Sequence, residues 1–437
     1  MGKQPGLIFR AEYSKVFFSM SPEISPTYDQ IMQRTQRLVS GHSDVVTQLD
    51  AGVSESGNLP LPFVEITDPS VSLDQKQIML ITGGVHGSEE CGRAVAMAFC
   101  EWLVTHGRSH LSTQSFIVCP CLNPDGALQN LPKTGTDRNI YTSCRIGSPD
   151  TDTVEAAVVL GLVDKYLPEC CVDIHGLGGG AVGDTIYVTP GLSGNLSTAI
   201  GFDVAYEMSR EAAAMGFVQR DPYMQPDYNK TEGGISWVKK TAVELNTLSF
   251  TVESSEHMLP INESASSGLC RMIRLVQIGE RMQWYQPYPG YPVDILTDNG
   301  VVALMPHGNT PGERRQSRRE IMTAIHEGGI WNVERDVADH AAGFDRTATA
   351  RMVCRKELKT VPSRFTIQMM LDRRASAQAV RFNGTELSPD PVHGFMERLD
   401  PEGRFVRIHV NHKPIPGENI AEICYRMPVE PHDPLSG

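Results

Sequence analysis

The hydrophobic pattern changes character once along the chain. Residues 26–39 (PTYDQIMQRTQRLV) carry apolar side chains at helical spacing and predict an amphipathic helix. Short apolar runs then alternate with longer helical patterns. Strands are expected at 77–82 (QIMLIT), 115–122 (SFIVCPCL), 170–174 and 247–252, and helices at 93–104, 154–166 and 204–215. That alternation predicts an α/β sheet covered by helices on both faces.

Beyond a Pro-rich stretch at 286–292 (QPYPGYP), apolar and polar residues alternate two by two. The segments 364–371 (RFTIQMML), 377–382 (AQAVRF) and 403–410 (GRFVRIHV), parted by Asn-Gly and Pro/Asp/Gly turns, predict a small β-sandwich. At 437 residues the chain exceeds what one core usually serves, so two domains are expected, 1–288 and a β-rich 289–437. Arg314, Arg315, Arg318 and Arg319 fall in a charged stretch expected to be a solvated loop.

Composition narrows the function. A formal net charge of -13 repels phosphate and argues against nucleic acid, leaving small molecules and peptides. No run reaches the roughly 18 apolar residues of a membrane span. The first residues lack the apolar core of a secretory leader, so a cytoplasmic protein is expected. Cys119, Cys121, Cys170 and Cys171 lie in apolar runs and read as reduced core thiols.

Three segments carry candidate chemistry. His86-Gly-Ser-Glu89 follows a strand, Asp173-Ile-His175-Gly176 closes another, and Glu253 ends a third in Phe250-Thr-Val-Glu253. His, His and Glu with an open fourth position form an established ligand set for catalytic zinc. Carboxyl ends of strands are where open α/β sheets bind ligands. A free carboxylate there can take a proton from attacking zinc-bound water and pass it to the leaving amine. Each residue alone has a plain structural reading, a solvated cap or a backbone-satisfied imidazole. Their convergence favours the metal site. Asp173 is expected to point away from His175 in a structural role.

Gly83-Gly-Val-His-Gly-Ser-Glu89, Asn123-Pro-Asp-Gly126, Asp173-Ile-His-Gly176 and Thr251-Val-Glu253 together resemble the M14 zinc carboxypeptidase family, in its shorter cytosolic branch. The resemblance covers roughly residues 26–285. It implies a central mixed sheet of about eight strands flanked by helices. It also implies one Zn2+ on His86, Glu89 and His175, with Glu253 as general acid/base. An arginine for the oxyanion and an arginine–asparagine pair for a terminal carboxylate are further implied. Arg138-Asn139 and Arg145 are the candidates, with the two arginine roles open between them. The family's mobile tyrosine has its nearest match in Tyr228, ahead of Gly233-Gly234 and Trp237.

The expected activity is therefore hydrolysis of an amide next to a free carboxylate, on a peptide substrate. An N-acyl amino acid deacylase resembling the aspartoacylase and desuccinylase branch is the alternative. A non-catalytic metal-binding or scaffold protein is the third reading. Glu253 counts against that one, because binding alone needs no general base. The oligomeric state stays open. His106, His110, His409 and His412 are expected to be structural.

Overall fold

In the computed structural model, residues 27–143, 153–176, 184–189, 196–224, 236–255, 261–284, 293–297, 300–306, 308–326, 330–339, 345–354, 365–371, 374–400, 403–412 and 415–426 are described. Apart from 192–197, the chain divides at Pro287/Tyr288 into two compact units.

The first unit opens with helix α1 (Tyr28–Gly41). Thr27 caps it and Gln30 bonds back to the Thr27 backbone, a reciprocal capping box. Then follow β1 (Val46–Gln48), β2 (Val64–Ile66), β3 (Gln77–Gly83), α2 (Glu90–Thr105), β4 (Gln114–Cys119), α3 (Pro124–Gln129), α4 (Val154–Tyr166), β5 (Cys170–Gly176), β6 (Thr185–Thr189), α5 (Leu196–Ala214), β7 (Tyr223–Met224), α6 (Trp237–Leu245), β8 (Leu248–Ser254) and α7 (Ile261–Trp284). The strands form one mixed eight-stranded sheet in the order β1-β2-β4-β3-β5-β8-β6-β7. Its middle, β4-β3-β5-β8, is parallel, while β6 runs antiparallel to β8.

Period-two alternation divides this sheet's side chains between two helical layers. Ile78, Leu80, Ile117, Cys119 and Cys171 join a core with Ala156, Val159 and Val163 of α4 and with Trp237 and Val238 of α6. On the other face α2 packs on β3, β5 and α7. The mixed α/β sheet flanked by helices is as expected. The 115–122 run is a strand only to Cys119. Beyond it, Leu122 and Asn123 donate their N–H groups to Gly83 and Gly84, so the chain closes over the end of β3. Cys119, Cys121, Cys170 and Cys171 are buried free thiols, and burial pushes Cys121 up to about 12.

The second unit holds β9 (Val293–Thr297), β10 (Gly300–Met305), α8 (Pro311–His326), β11 (Ile330–Asp339), β12 (Asp345–Cys354), β13 (Phe365–Leu371), β14 (Ser376–Phe382), β15 (Thr385–Glu386), β16 (Gly394–Asp400), β17 (Gly403–Val410) and β18 (Gly417–Arg426). They form two five-stranded antiparallel sheets, β16-β17-β13-β10-β9 and β11-β12-β18-β14-β15. Ile367, Met369, Val406 and Ile408 of one share a core with Ala348, Val380, Phe382 and Ile423 of the other, a sandwich arrangement. The arginine stretch departs from expectation. It lies on α8, with Arg315 and Arg318 buried. They continue the stripe of Ile321 and Met322, which reaches the sandwich core. Two arginines within the buried face had masked the helical period.

Candidate metal centre

His86, Glu89 and His175 come together, with a ligand atom from each within 4.8 Å of the others. The turn from β3 into α2 presents the first two. Gly84 there has φ 66°, a left-handed conformation that suits glycine. The Glu89 N–H bonds to the His86 carbonyl, closing one turn that brings both side chains to one side. Glu89 stands at the N-cap of α2 but makes no capping bond with its side chain. Its carboxylate is turned to the imidazoles instead.

The Asn-Pro-Asp-Gly turn holds this loop from below. Asn123 Oδ1 accepts from the Gly126 N–H and so caps α3, while Asn123 Nδ2 donates to Val85 O at 3.3 Å, next to His86. A Cβ on Gly87 would overlap the Gly126 backbone, so glycine is required for this approach. Arg93 donates to the Gly87 carbonyl. Asp125 accepts from Ser54 and Ser56 and anchors the preceding loop.

Both imidazoles present the same nitrogen to Glu89. His86 Nδ1 lies 2.7 Å from Oε1 and His175 Nδ1 lies 3.0 Å from Oε2. Their outer nitrogens face acceptors: His86 Nε2 is 3.3 Å from Asn139 Oδ1, and His175 Nε2 is 2.9 Å from Asp173 Oδ2. An acceptor at Nε2 keeps its proton there and leaves Nδ1 as the donor atom toward a metal. Two nitrogens and a carboxylate oxygen thus fit a zinc ion. Asp173 corrects the expectation that it points away. Residues two apart on a strand share a face, and Asp173 lies directly below His175. Thr82 Oγ1 in turn donates to Asp173 Oδ1 at 2.6 Å.

Glu253 stands on β8 as the register partner of His175 on β5. It is buried, and burial, offset by His175 but reinforced by Glu89, pushes its carboxyl up to about 7. Burial also raises Glu89, but His175 and His86 outweigh it and bring it down to about 2. For His175, burial opposes the charged form, yet Asp173 and Glu89 hold its pKa well above the usual histidine range.

The other expected residues divide. Asn139 abuts His86 and caps the short helix Ile140–Thr142 by accepting from the Tyr141 N–H. Arg138 Nη1 donates to Glu55 Oε1 at 2.7 Å, and its side chain is 38% exposed. Arg145 and Tyr228 lie outside the described residues. Tyr141 was not anticipated. Its ring packs edge-on against His175 at 5.0 Å and tilts over His86 at 5.8 Å. Its place two residues beyond Asn139 was the available signal. Among the outlying histidines, His110 pairs with Glu280 and His409 with Thr366.

Comparison with known proteins agrees with the motifs. Residues 31–139 match the family model for the zinc carboxypeptidases, Peptidase M14. The resemblance read from the motifs therefore holds over that segment, which carries His86, Glu89 and the Asn-Pro-Asp-Gly turn. No curated protein matches the chain. Among solved structures, bovine thrombin-activatable fibrinolysis inhibitor in complex with tick carboxypeptidase inhibitor is 14% identical, covering 59% of this chain and 97% of that one, at a TM-score of 0.47. Carboxypeptidase A from Helicoverpa armigera is 12% identical over 63% of this chain and 80% of that one, at 0.48. A Pseudomonas aeruginosa metallo-carboxypeptidase in complex with (2-guanidinoethylmercapto)succinic acid is 15% identical over 58% and 69%, at 0.45.

Proposed function

We propose that this protein is a zinc-dependent hydrolase of the metallocarboxypeptidase type, cleaving an amide bond next to a free carboxylate. His86, Glu89 and His175 hold one zinc ion, and Glu253 is the general acid/base. The observation that carries this reading is the focus of two Nδ1 atoms on one carboxylate, with Glu253 in register beside one of them. Zinc bound there supplies Lewis acidity to the scissile carbonyl and to the attacking water. Glu253 takes the proton from that water and returns it to the leaving amine. A buried carboxyl in that place can serve both transfers. Asp173 and Asn139 hold the imidazole rings in the ligating orientation.

On the substrate side, Arg138 and Asn139 engage the carbonyl or the terminal carboxylate, with Arg145 and Tyr228 as further candidates. Arg138 exchanges Glu55 for substrate when it does so. The catalytic domain spans 1–288 and the β-rich domain 289–437.

The test is mass-spectrometric product analysis of zinc-loaded protein against mixed peptides and N-acyl amino acids, beside Glu253→Gln. Loss of C-terminal residues, all but abolished in the variant while zinc stays bound, is the expected result. Release of acyl groups would move the protein to the deacylase reading. Equal turnover by Glu253→Gln would remove Glu253 as the base. Zinc bound without any turnover would favour a binding protein.

A further inference from the structure

Glu253 is held at its strand end by a buried ion pair that contacts none of the proposed zinc ligands. Arg271, on α7, is completely buried. Its Nη1 donates to the carbonyls of Glu253, at 3.0 Å, and of Thr185, at 2.9 Å. These two residues face each other across the antiparallel β6–β8 pair, so one nitrogen bridges both strands. Nη2 donates to Ser254 Oγ at 2.8 Å and lies 3.4 Å from Asp184 Oδ2. The other oxygen of Asp184 accepts from the Ser255 N–H at 2.7 Å. Glu253, Ser254 and Ser255 are thus each bound by one member of this pair. Gly268, one turn earlier on α7, lets that helix close onto α2: a Cβ there would lie 2.6 Å from a methyl of Val95.

A buried guanidinium–carboxylate pair is a costly way to join two strands, because both charges leave water. Apolar side chains would serve packing alone. The pair does what they cannot: it fixes backbone atoms by directed hydrogen bonds from two sides. The carboxylate of Glu253 is joined to that backbone by two methylenes, so a displaced strand end displaces the acid/base. Misplacement by about 1 Å can lower turnover by about 100-fold.

We propose that Arg271, together with Asp184, is a positioning residue for Glu253, setting the height of its carboxylate against the His86–Glu89–His175 cluster. The inference rests on the reading of Glu253 as acid/base. The test uses full-length, zinc-loaded Arg271→Met, Arg271→Lys and Ser254→Ala, each also combined with Glu253→Gln. It reads kcat, KM, zinc content and urea unfolding. Arg271→Met is expected to lower kcat by about 10- to 100-fold, with KM within about threefold and zinc content unchanged. Lysine, which can still donate to the two carbonyls, should restore part of kcat. In the Glu253→Gln background, Arg271→Met should cost no more than about twofold of the residual rate, because the group it positions is already gone.

Ser254→Ala removes one hydrogen bond from the guanidinium and keeps the protein testable if Arg271→Met does not fold. Its kcat should fall about three- to fivefold at constant KM. Unchanged kcat in Ser254→Ala, or an undiminished effect of Arg271→Met in the Glu253→Gln background, overturns the proposal. If Glu253→Gln itself keeps the parental turnover, the functional reading has failed, an outcome distinct from the failure of Arg271 to position it.

Discussion

His175 and Glu253 face each other in register on adjacent parallel strands, with their side chains on the same side of the sheet. The pairing repeats one step below, where Thr82, Asp173 and Thr251 align across β3, β5 and β8. The sheet thus sets an imidazole beside a carboxyl group, and a row of polar residues beneath them. In the metal-free protein this has a measurable cost. Glu253 has its pKa raised to about 7, so the folded state binds a proton that the unfolded state releases above about 4.5. Stability from this group is present below that pH and is lost as pH rises to about 7. The full swing is about 3 kcal/mol. Urea unfolding of the metal-free protein between pH 4.5 and 8 measures it. Glu253→Gln should gain stability over the parent as pH rises; parallel curves would refute the assignment.

Asp173→Asn should lower zinc affinity by about 10- to 100-fold while leaving the fold intact, because an amide neither orders the His175 ring nor raises its basicity as a carboxylate does. Competition titration with a chelator reads the affinity. In the parent protein, zinc must displace the proton that Asp173 and Glu89 hold on His175. Binding should therefore release protons at pH 7 and weaken as pH falls. Calorimetry in buffers of different ionisation enthalpy detects the release. Proton-neutral binding would mean that His175 is not a ligand.

The His86–Glu89–His175 cluster was legible in the sequence because strand-end motifs carry position as well as chemistry. His86, Glu89 and His175 each follow a short apolar run, and a run that ends fixes where its last side chains emerge. The orientation of Asp173 followed from the same alternation, since residues two apart share a face; it was misjudged. Arg271 was hidden for another reason. In helix α7 the run Leu269-Cys-Arg271-Met-Ile-Arg274 offers two arginines alike, and only tertiary packing reveals that Arg271 is the buried one. Arg315 and Arg318 misled similarly, by placing charge within a buried stripe. Strand β6 is five residues long, and on its own the run Thr185–Thr189 gives too little periodicity to identify.

The contact between the His86 loop and the Asn-Pro-Asp-Gly turn gives a third prediction. Asn123→Ala removes the cap of α3 and the bond to Val85 O. A lost cap costs about 1 kcal/mol, and the unsatisfied carbonyl adds about as much. Gly87→Ala should be more severe, because the overlap is with backbone that no rotamer change relieves. Both variants should lose zinc affinity along with stability. Thermal unfolding with and without zinc separates the two effects. A Gly87→Ala protein with parental zinc affinity would show that the two turns do not support each other.

Arg138 and Glu55 give the last test. Their bond is 2.7 Å long, but with the arginine 38% exposed it is worth no more than about 1 kcal/mol. Substrate can therefore displace Glu55 at little cost. Glu55 stays in place when that happens, since Thr134 and Thr136 also donate to its other oxygen. If Arg138 engages the carbonyl or carboxylate of the substrate, Arg138→Ala should lower kcat/KM by about 100-fold. Glu55→Gln, which only loosens the resting arginine, should stay within about tenfold of the parent. The split between kcat and KM then separates the two roles. A fall in kcat marks a group that acts on the developing oxyanion. A rise in KM that disappears with substrates whose terminal carboxylate is amidated marks a carboxylate clamp. Equal losses in Arg138→Ala and Glu55→Gln would instead make the pair a tether for the loop that carries Asn139 to His86.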